Sequence, residues 1–416
     1  MKSDKQVKIR HIWWIKPNTL IGLALLPLYI LIGFISENLD NFNYWLSFLL
    51  IFCLFLGSQT AAIRKNRISN DVIFHKKRSE TILKCLFYIS ALGYFFWFFE
   101  IIKNPALLFK ALSNEGQVFT LRGVIETTPG LSTLSQLSVL YSAVYIKLVV
   151  DGSLKTKGKY LFFFVILFAM TLFRSWVWNE RLALIEFLCP AIVIYATSKN
   201  VSNKSNNRLR LFPIIGFFAI YIIFSIFEYF RSWQFYSKSE DNFFSFTLKR
   251  LTNYYSSAVE NGIGFISWQT TPSYDGSLFF GFIYQLPYIG ELLRSSIYKS
   301  KTFASYLQCC ADPEFNLASW PFLIASDIGI PLSMIFFYLM GYVFSTAYKN
   351  FILSNKSFIY YPVMYVALLE LLRQHYLHSP RFSYILVGAI LVHLFIKTRG
   401  QKTIPEEHSF STEVPK

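Results

Sequence analysis

Residues 160–196 read YLFFFVILFAMTLFRSWVWNERLALIEFLCPAIVIYA, two long apolar runs joined by a short stretch that carries Arg174, Glu180 and Arg181. A helix that crosses the hydrocarbon of a bilayer needs about 20 mostly apolar residues. The two runs therefore predict two membrane-spanning helices, at 159–174 and 181–198. The charged residues between them would lie at a membrane edge.

The composition of the whole chain agrees with this interpretation. Hydrophobic residues make up 54% of the 416 residues and aromatic residues 19%, while charged residues make up only 15%. A soluble domain carries about 25% charged residues, so the chain has too few charges to cover a soluble globule. It is also too apolar to be disordered. The composition excludes a soluble enzyme and predicts an all-α polytopic membrane protein.

The apolar runs predict about ten transmembrane helices. The predicted segments are 19–36, 44–62, 82–102, 131–150, 159–174, 181–198, 211–230, 319–347, 357–376 and 381–397. The segment 319–347 is long for one span, and its Pro321 and Pro331 predict a kink or a partly re-entrant start. We expect residues 1–400 to form a single integral membrane domain and residues 401–416 to form a disordered tail.

The distribution of cations predicts the orientation. Of the 40 Lys and Arg residues, 26 fall on alternate connections that include both termini. The positive-inside rule therefore places both termini in the cytoplasm. Because the +16 net charge is spread over six separate basic segments, we expect it to contact anionic membrane lipid, and we expect no nucleic acid partner. Two long connections, 103–130 and 231–318, would then be extracytoplasmic, and the stretch 245–263 could form an interfacial helix.

The cations on the predicted outer side are mainly arginines close to a membrane edge. Guanidinium groups bind phosphate in a planar, bidentate manner that ammonium groups cannot match. Several of them together would suit a diphosphate anchored in lipid. The alternative is that each arginine reaches the interface alone or pairs with a nearby acid.

Three acids and two histidines accompany these arginines. Glu186, Asp327 and Glu370 lie within predicted spans, where an ionisable group usually faces a cavity or a partner. Glu370 and Arg373 are three residues apart, so they either pair with each other or share a site. His375 and His378 follow and could serve as general bases, although a plain interfacial position is the alternative.

Several motifs are absent from the sequence. There is no Walker glycine loop, which disfavours ATP-driven transport. There is no HExxH or GxSxG motif, and the five cysteines show neither a zinc spacing nor a disulfide framework. No DxD-like pair occurs on the predicted cytoplasmic side, which disfavours a metal-dependent nucleotide-sugar enzyme.

Five stretches of the chain resemble the O-antigen polymerases, the Wzy-type oligosaccharide repeat-unit polymerases. They are FTLRGVIETTPGLSTLSQL (119–137), FRSWVWNERLALIEFLCP (173–190), EYFRSW to RLTNYYSSAVENG (228–262), PEFNLASWPFLIASDIGIP (313–331) and YYPVMYVALLELLRQHYLHSPRF (360–382). The resemblance implies a GT-C-like helix bundle with a large extracytoplasmic loop at about 231–318. It also implies a metal-independent glycosyltransferase of the bacterial inner membrane that needs no cofactor. The substrate would be undecaprenyl-diphosphate-linked oligosaccharide, and a polysaccharide chain-length regulator would be a partner.

The resemblance also implies roles for individual residues. Those expected to act in catalysis are Arg231, Arg250, Asp327, Glu370 and Arg373. Those expected to bind the diphosphate or the glycan are Arg122, Arg174, Arg181, Tyr254, Tyr255, Asn261 and Arg381.

Two other functions remain open from the sequence. An O-antigen ligase would use the same donor and share the topology. A non-enzymatic flippase or exporter of the same lipid-linked oligosaccharide would carry its cations deep in a central cavity and would have short outer loops. The outer-edge arginines and the long loop favour the polymerase.

Overall fold

The computed structural model describes residues 12–36, 40–64, 73–74, 76–113, 128, 130–178, 180–197, 209–238, 242–284, 289–295, 302–312, 314–354 and 357–398. The described chain is helical, apart from one antiparallel ribbon in which β1 (Ile73–Phe74) pairs with β2 (Lys397–Thr398). Six of its helices are long and apolar enough to cross a membrane. The prediction of an α-helical membrane protein is confirmed at this level.

The six long apolar helices are α1 (Pro17–Ile35), α2 (Asn41–Ile63), α3 (Lys76–Lys103), α5 (Ser132–Val150), α6 (Lys159–Val177) and α14 (Ile330–Ser354). Four shorter apolar helices complete the predicted segments: α7 (Leu182–Ala196), α8 (Phe212–Glu228), α15 (Tyr360–Leu369) and α16 (Pro380–Ile396). The remaining helices are α4 (Ala106–Ser113), α9 (Phe243–Gln269), α10 (Gly281–Tyr284), α11 (Ile289–Ser295), α12 (Phe303–Cys310) and α13 (Trp320–Ile328).

The predicted segment 319–347 is not one kinked helix. It divides into α13 and α14 at Gly329, whose φ of 79° lies in the left-handed region. Pro321 and Pro331 lie in the first turns of these two helices, where a missing N–H removes no intrahelical hydrogen bond. The glycine, and not either proline, therefore causes the break.

The predicted segment 357–376 also ends early. Helix α15 stops at Leu369, and residues 370–379 form turns and a short 3₁₀ segment, Tyr376–His378. Glu370 and His375 are buried within these turns. Polar side chains are therefore buried in a non-helical segment, where the sequence pattern predicted that the helix would continue.

The long connection 231–318 is folded in its described parts. The predicted helix 245–263 is confirmed and extends to the 27 residues of α9. The Asn242 side chain accepts a hydrogen bond from the N–H of Phe244 (2.9 Å) and caps the start of α9. At the end of α12, the adjacent Cys309 and Cys310 form a disulfide that their spacing did not predict.

Helices α2 and α14 pack backbone against backbone. A Cβ atom built on Gly57 would lie 1.8 Å from the carbonyl oxygen of Tyr338, and one built on Gly341 would lie 2.0 Å from that of Leu54. Glycines thus allow the two backbones to touch, as small residues do between membrane helices. The hydrogen bond of Arg64 to Tyr342 continues the contact, so the two helices run in the same direction.

Several helix termini meet at one end of the bundle. There α6 ends at Val177, α7 begins at Leu182, and α16 begins at Pro380. The ion pairs described below link these termini directly. This end of the bundle carries the candidate site.

Candidate functional site

Arg174, in the last turn of α6, is buried, with 1% of its surface exposed. Its Nη2 lies 2.6 Å from Oε2 of Glu180. Its Nη1 donates to Oγ of Ser135 (3.4 Å), and its guanidinium stacks 3.9 Å above the ring of Trp97. Arg174 therefore links residues near the ends of α3, α5 and α6, and it fixes the position of the Glu180 carboxylate.

Glu180 links Arg174 to Arg381. Its Oε1 accepts a hydrogen bond from Nη2 of Arg381, in the first turn of α16. Nη1 of Arg381 lies 3.5 Å from Oε2 of Glu186, a carboxylate that is fully buried in α7. These four side chains form the first network, which connects α6, α7 and α16.

Glu228, at the end of α8, organises the second network. This carboxylate is fully buried, and its Oε1 accepts a hydrogen bond from Nη2 of Arg181. Its Oε2 lies 2.8 Å from Nε of Arg250. Nη1 of Arg250 donates to Oε2 of Glu314 (2.9 Å), and Nη2 donates to Oε1 (3.4 Å). Although burial opposes the charge of Arg250, the hydrogen bonds to Glu314 and the charge of Glu228 raise the pKa of this arginine above its usual value.

Glu370 and Arg373 form a third and smaller group. Nε of Arg373 lies 3.3 Å from Oε2 of Glu370, and Nε2 of Gln374 donates to the same oxygen (3.0 Å). The pairing that the spacing allowed is therefore present. The Arg373 side chain retains partial exposure, at 20%.

A cavity of about 720 Å³ lies between the three groups. Three of the predicted arginines and one predicted tyrosine contribute to its wall. The lining residues are Glu180, Arg181, Leu182, Tyr254, Ala258, Glu314, Phe315, Asn316, Leu317, Arg373, Gln374, Ser379 and Arg381. Arg174, Arg250 and Glu370 lie behind this wall and pair with residues that line it.

Aromatic rings form one side of the cavity. The ring of Tyr254 packs edge-on against Phe224 (5.5 Å between centroids) and Phe315 (5.3 Å). The guanidinium of Arg181 lies 3.9 Å above the Phe224 ring. Aromatic faces with amide, hydroxyl and guanidinium donors nearby can bind a sugar ring by stacking and hydrogen bonding.

Two predicted site residues, Asp327 and Asn261, do not line the cavity. Asp327 accepts hydrogen bonds from Oγ of Ser273 (2.9 Å) and from the N–H groups of Leu278 (3.0 Å) and Phe279 (2.7 Å). Asn261 donates to the carbonyl oxygens of Phe315 (2.5 Å) and Leu317 (3.1 Å). Asp327 thus orders the segment 273–279, and Asn261 fixes the loop that brings Glu314 and Phe315 to the cavity.

The two histidines lie next to this ordered segment. His375 stacks on Trp320, with 5.1 Å between the ring centroids. Nδ1 of His378 lies 2.6 Å from the carbonyl oxygen of Leu278, so Nδ1 carries the proton and donates. Burial lowers the pKa of His378, and the Leu278 carbonyl and Asp327 oppose this shift only in part. Neither histidine belongs to the lining of the cavity.

The remaining predicted residues are distributed as follows. Tyr255 is half-buried and packs against the main hydrophobic core. Arg122 and the side chain of Arg231 lie outside the part of the chain that the structure describes.

Three of the acids that hold these arginines were not predicted from the sequence. Glu180, Glu228 and Glu314 each contact at least one candidate arginine. The signal available for Glu180 was its position in the short connection between Arg174 and Arg181. Glu228 ends α8 and Glu314 lies in a loop, and the arginines they contact are distant in sequence, so these pairs could be seen only in the fold.

The three groups pair arginines with glutamates and contain no cluster of metal ligands among the described residues. In the three groups, five arginines meet five glutamates, so their formal charges cancel. An incoming anion would therefore bind in exchange for a carboxylate. Comparisons with protein-family models, with curated proteins and with solved structures find no match to the chain.

Proposed function

We propose that the chain is a lipid-linked oligosaccharide polymerase, which joins undecaprenyl-diphosphate-linked repeat units into O-antigen or a related surface polysaccharide. One observation carries this proposal. The five stretches that resemble the polymerase family are far apart in sequence, yet all contribute to one site. Four of them supply residues of the ion-pair networks, and the fifth supplies Ser135, which contacts Arg174.

The proposed reaction is a glycosyl transfer. A hydroxyl oxygen of the acceptor unit attacks the anomeric carbon of the donor glycan, and the bond from that carbon to the diphosphate breaks. The bonding electron pair leaves with undecaprenyl diphosphate, and the acceptor hydroxyl loses its proton to a base. The enzyme must therefore hold developing negative charge on the diphosphate and must provide a proton acceptor.

The arginines of the cavity would hold the diphosphate. Arg181, Arg373 and Arg381 all line it, and removing one preorganised donor from a developing charge typically costs about 10²–10³ in rate. In this proposal the protein's guanidinium groups neutralise the leaving group, without a metal or another cofactor.

Glu314 is the carboxylate best placed to exchange with the diphosphate. Its side chain is 40% exposed, whereas Glu228, the other partner of Arg250, is fully buried. A phosphate that replaced Glu314 on Arg250 would keep the bidentate geometry that this guanidinium already shows. The released carboxylate would remain beside the cavity, where it could accept the proton of the acceptor hydroxyl.

The finer architecture belongs to the same proposal. We place the chain in the bacterial inner membrane as a GT-C-like bundle of about ten spans, with both termini in the cytoplasm. The cavity would then open at the outer face, where lipid-linked units are joined. A separate chain-length regulator would act as its partner.

A gene deletion tests this function. The surface polysaccharide of a strain that lacks the chain would be separated by size. Loss of the ladder, with a single repeat unit still attached to the lipid A core, is the expected result. Accumulation of long lipid-linked glycan would indicate a ligase instead, and unpolymerised units trapped inside the cell would indicate a flippase; either result would overturn the proposal.

A further inference from the structure

Three cations lie near the end of the bundle where helices α2 and α14 both terminate. Lys16 precedes α1, Arg64 follows α2, and Lys349 lies near the end of α14. Nη1 of Arg64 donates to the hydroxyl of Tyr342 (2.5 Å), and Nζ of Lys349 donates to the backbone carbonyl of Arg64 (2.7 Å). We call these three cations together with Tyr342 the basic cluster.

The basic cluster differs from the cavity in its lack of acids. Each of the five arginines in the three groups around the cavity contacts a glutamate. Among the described residues, by contrast, no ion pair involves Lys16, Arg64 or Lys349. Lys16 lies near the same end of α2, where Nδ2 of Asn18 donates to Oε1 of Gln59 (2.9 Å), and its like charge acts on Lys349.

The fold holds Arg64 and Lys349 in place. The contacts at Gly57 and Gly341 fix α2 against α14, and the hydrogen bonds of Arg64 then fix the ends of the two helices. Like charges that are held together repel one another unless an anion lies between them. An anion bound between them would relieve this repulsion.

Apolar side chains beside the basic cluster indicate the kind of anion. Ile63, Leu339 and Val343 leave 83%, 54% and 44% of their surfaces exposed, and they lie on α2 and α14 next to Arg64 and Tyr342. A free phosphate ion would make no use of such a surface, whereas an acyl chain would cover it. Basic pockets between membrane helices bind the headgroups of anionic lipids.

We propose that Lys16, Arg64, Lys349 and the Tyr342 hydroxyl bind the phosphate of an anionic phospholipid, whose acyl chain lies along Ile63, Leu339 and Val343. This site is separate from the cavity and does not depend on the glycan chemistry proposed above. The site would bind one lipid molecule where α2 and α14 contact each other.

Native mass spectrometry of the full chain in detergent, titrated with phosphatidylglycerol, tests the proposal. A cation near an anionic lipid surface contributes about a fivefold gain in binding. The double variant Arg64→Gln/Lys349→Gln should therefore bind the tightest lipid about 25-fold more weakly. The matched control Lys155→Gln/Lys157→Gln removes two exposed cations from another connection and should bind as wild type does.

Two further arms distinguish an anionic-lipid site from a site for any acyl chain or for a soluble anion. The charge-preserving variant Arg64→Lys/Lys349→Arg should retain the lipid, and phosphatidylcholine with the same acyl chains should not compete for it. If the double Gln variant is not monodisperse, the same titration is made with the single variants Arg64→Gln and Lys349→Gln. Equal binding by the Gln variants and the control would overturn the proposal. Displacement of phosphatidylglycerol by inorganic phosphate at similar concentration would also overturn it, because the site would then bind a soluble anion.

Discussion

The arginines that line the cavity are held by carboxylates, and this pairing decides what the site can bind. A carboxylate and a phosphate oxygen present similar acceptors to a guanidinium. The glutamates therefore keep the arginines in binding geometry when no substrate is present. Glu314 differs from the buried Glu186 and Glu228 in its exposure, so the exchange of ligands should occur there.

Replacing Glu314 with Gln tests this exchange. The neutral amide should compete less well for Arg250, so affinity for inorganic diphosphate should rise. Glycan transfer should fall about 10²-fold, because the proposed proton acceptor is lost. Calorimetric titration with diphosphate and the length of the polysaccharide ladder measure the two effects. Glu291→Gln, an exposed acid of the same connection, serves as the control, and unchanged binding and ladder in Glu314→Gln would rule out the exchange.

His378 should make the stability of the protein depend on pH. A methyl group on Gly281 would overlap its imidazole, so the ring is tightly enclosed. Because the folded state lowers the pKa of His378, the stabilisation from the neutral ring is fully present above about pH 6.5. It is lost as the pH falls below that value, since the unfolded chain then binds the proton more readily.

The variant His378→Asn checks this effect, because its amide can still donate to the Leu278 carbonyl but does not titrate near neutral pH. The thermal unfolding midpoint of the wild type should drop by roughly a few degrees more than that of the variant between pH 7.5 and 5.5. Parallel pH profiles would show that His378 does not titrate in this range.

At the scale of helices, the sequence predicted the presence of helices better than their extent. Long apolar runs such as 44–62 predicted α2 because burial in lipid requires helix whatever the side chains. The break at Gly329 and the early end of α15 depend on a backbone conformation and on contacts with distant residues. The length of the run 319–347 indicated an irregularity but not its position at Gly329, and the apolar pattern could not show which distant glutamate meets which arginine.

The contact between α2 and α14 yields a prediction for Gly57. The variant Gly57→Ala would place a methyl group against the backbone oxygen of Tyr338, which cannot move without shifting the helix. Overpacking of this kind typically costs about 1–3 kcal/mol, so the unfolding midpoint should fall. Gly216→Ala is the matched control, because its new methyl group would meet nothing closer than 3.9 Å. Equal midpoints for the two variants would contradict the close contact.

For the whole molecule, the proposed function requires that the cavity and the basic connections lie on opposite sides of the membrane. Composition and cation distribution could predict a membrane protein and an orientation, because both follow from counting apolar and basic residues along the sequence. The cavity is lined by residues of four distant stretches, and a fifth stretch contributes Ser135 behind its wall. In the sequence, only the family resemblance grouped these five stretches.

Cysteine labelling tests this orientation in a variant whose native cysteines are replaced. A membrane-impermeant maleimide applied to intact cells should label Asn316→Cys, which lines the cavity. It should label Lys155→Cys only after the membrane is permeabilised. Labelling of Lys155→Cys in intact cells would reverse the topology and remove the cavity from the outer face.

The most direct measurement uses the substrate that a deletion strain should accumulate. Its lipid-linked repeat units would be extracted and incubated with the purified chain, and the products followed by mass spectrometry. We predict glycans of two and more units on undecaprenyl diphosphate, one undecaprenyl diphosphate released for each new bond, and a loss of about 10²–10³ in rate for Arg373→Gln. Repeat units that remain single in the presence of the folded wild-type chain would contradict the proposed function.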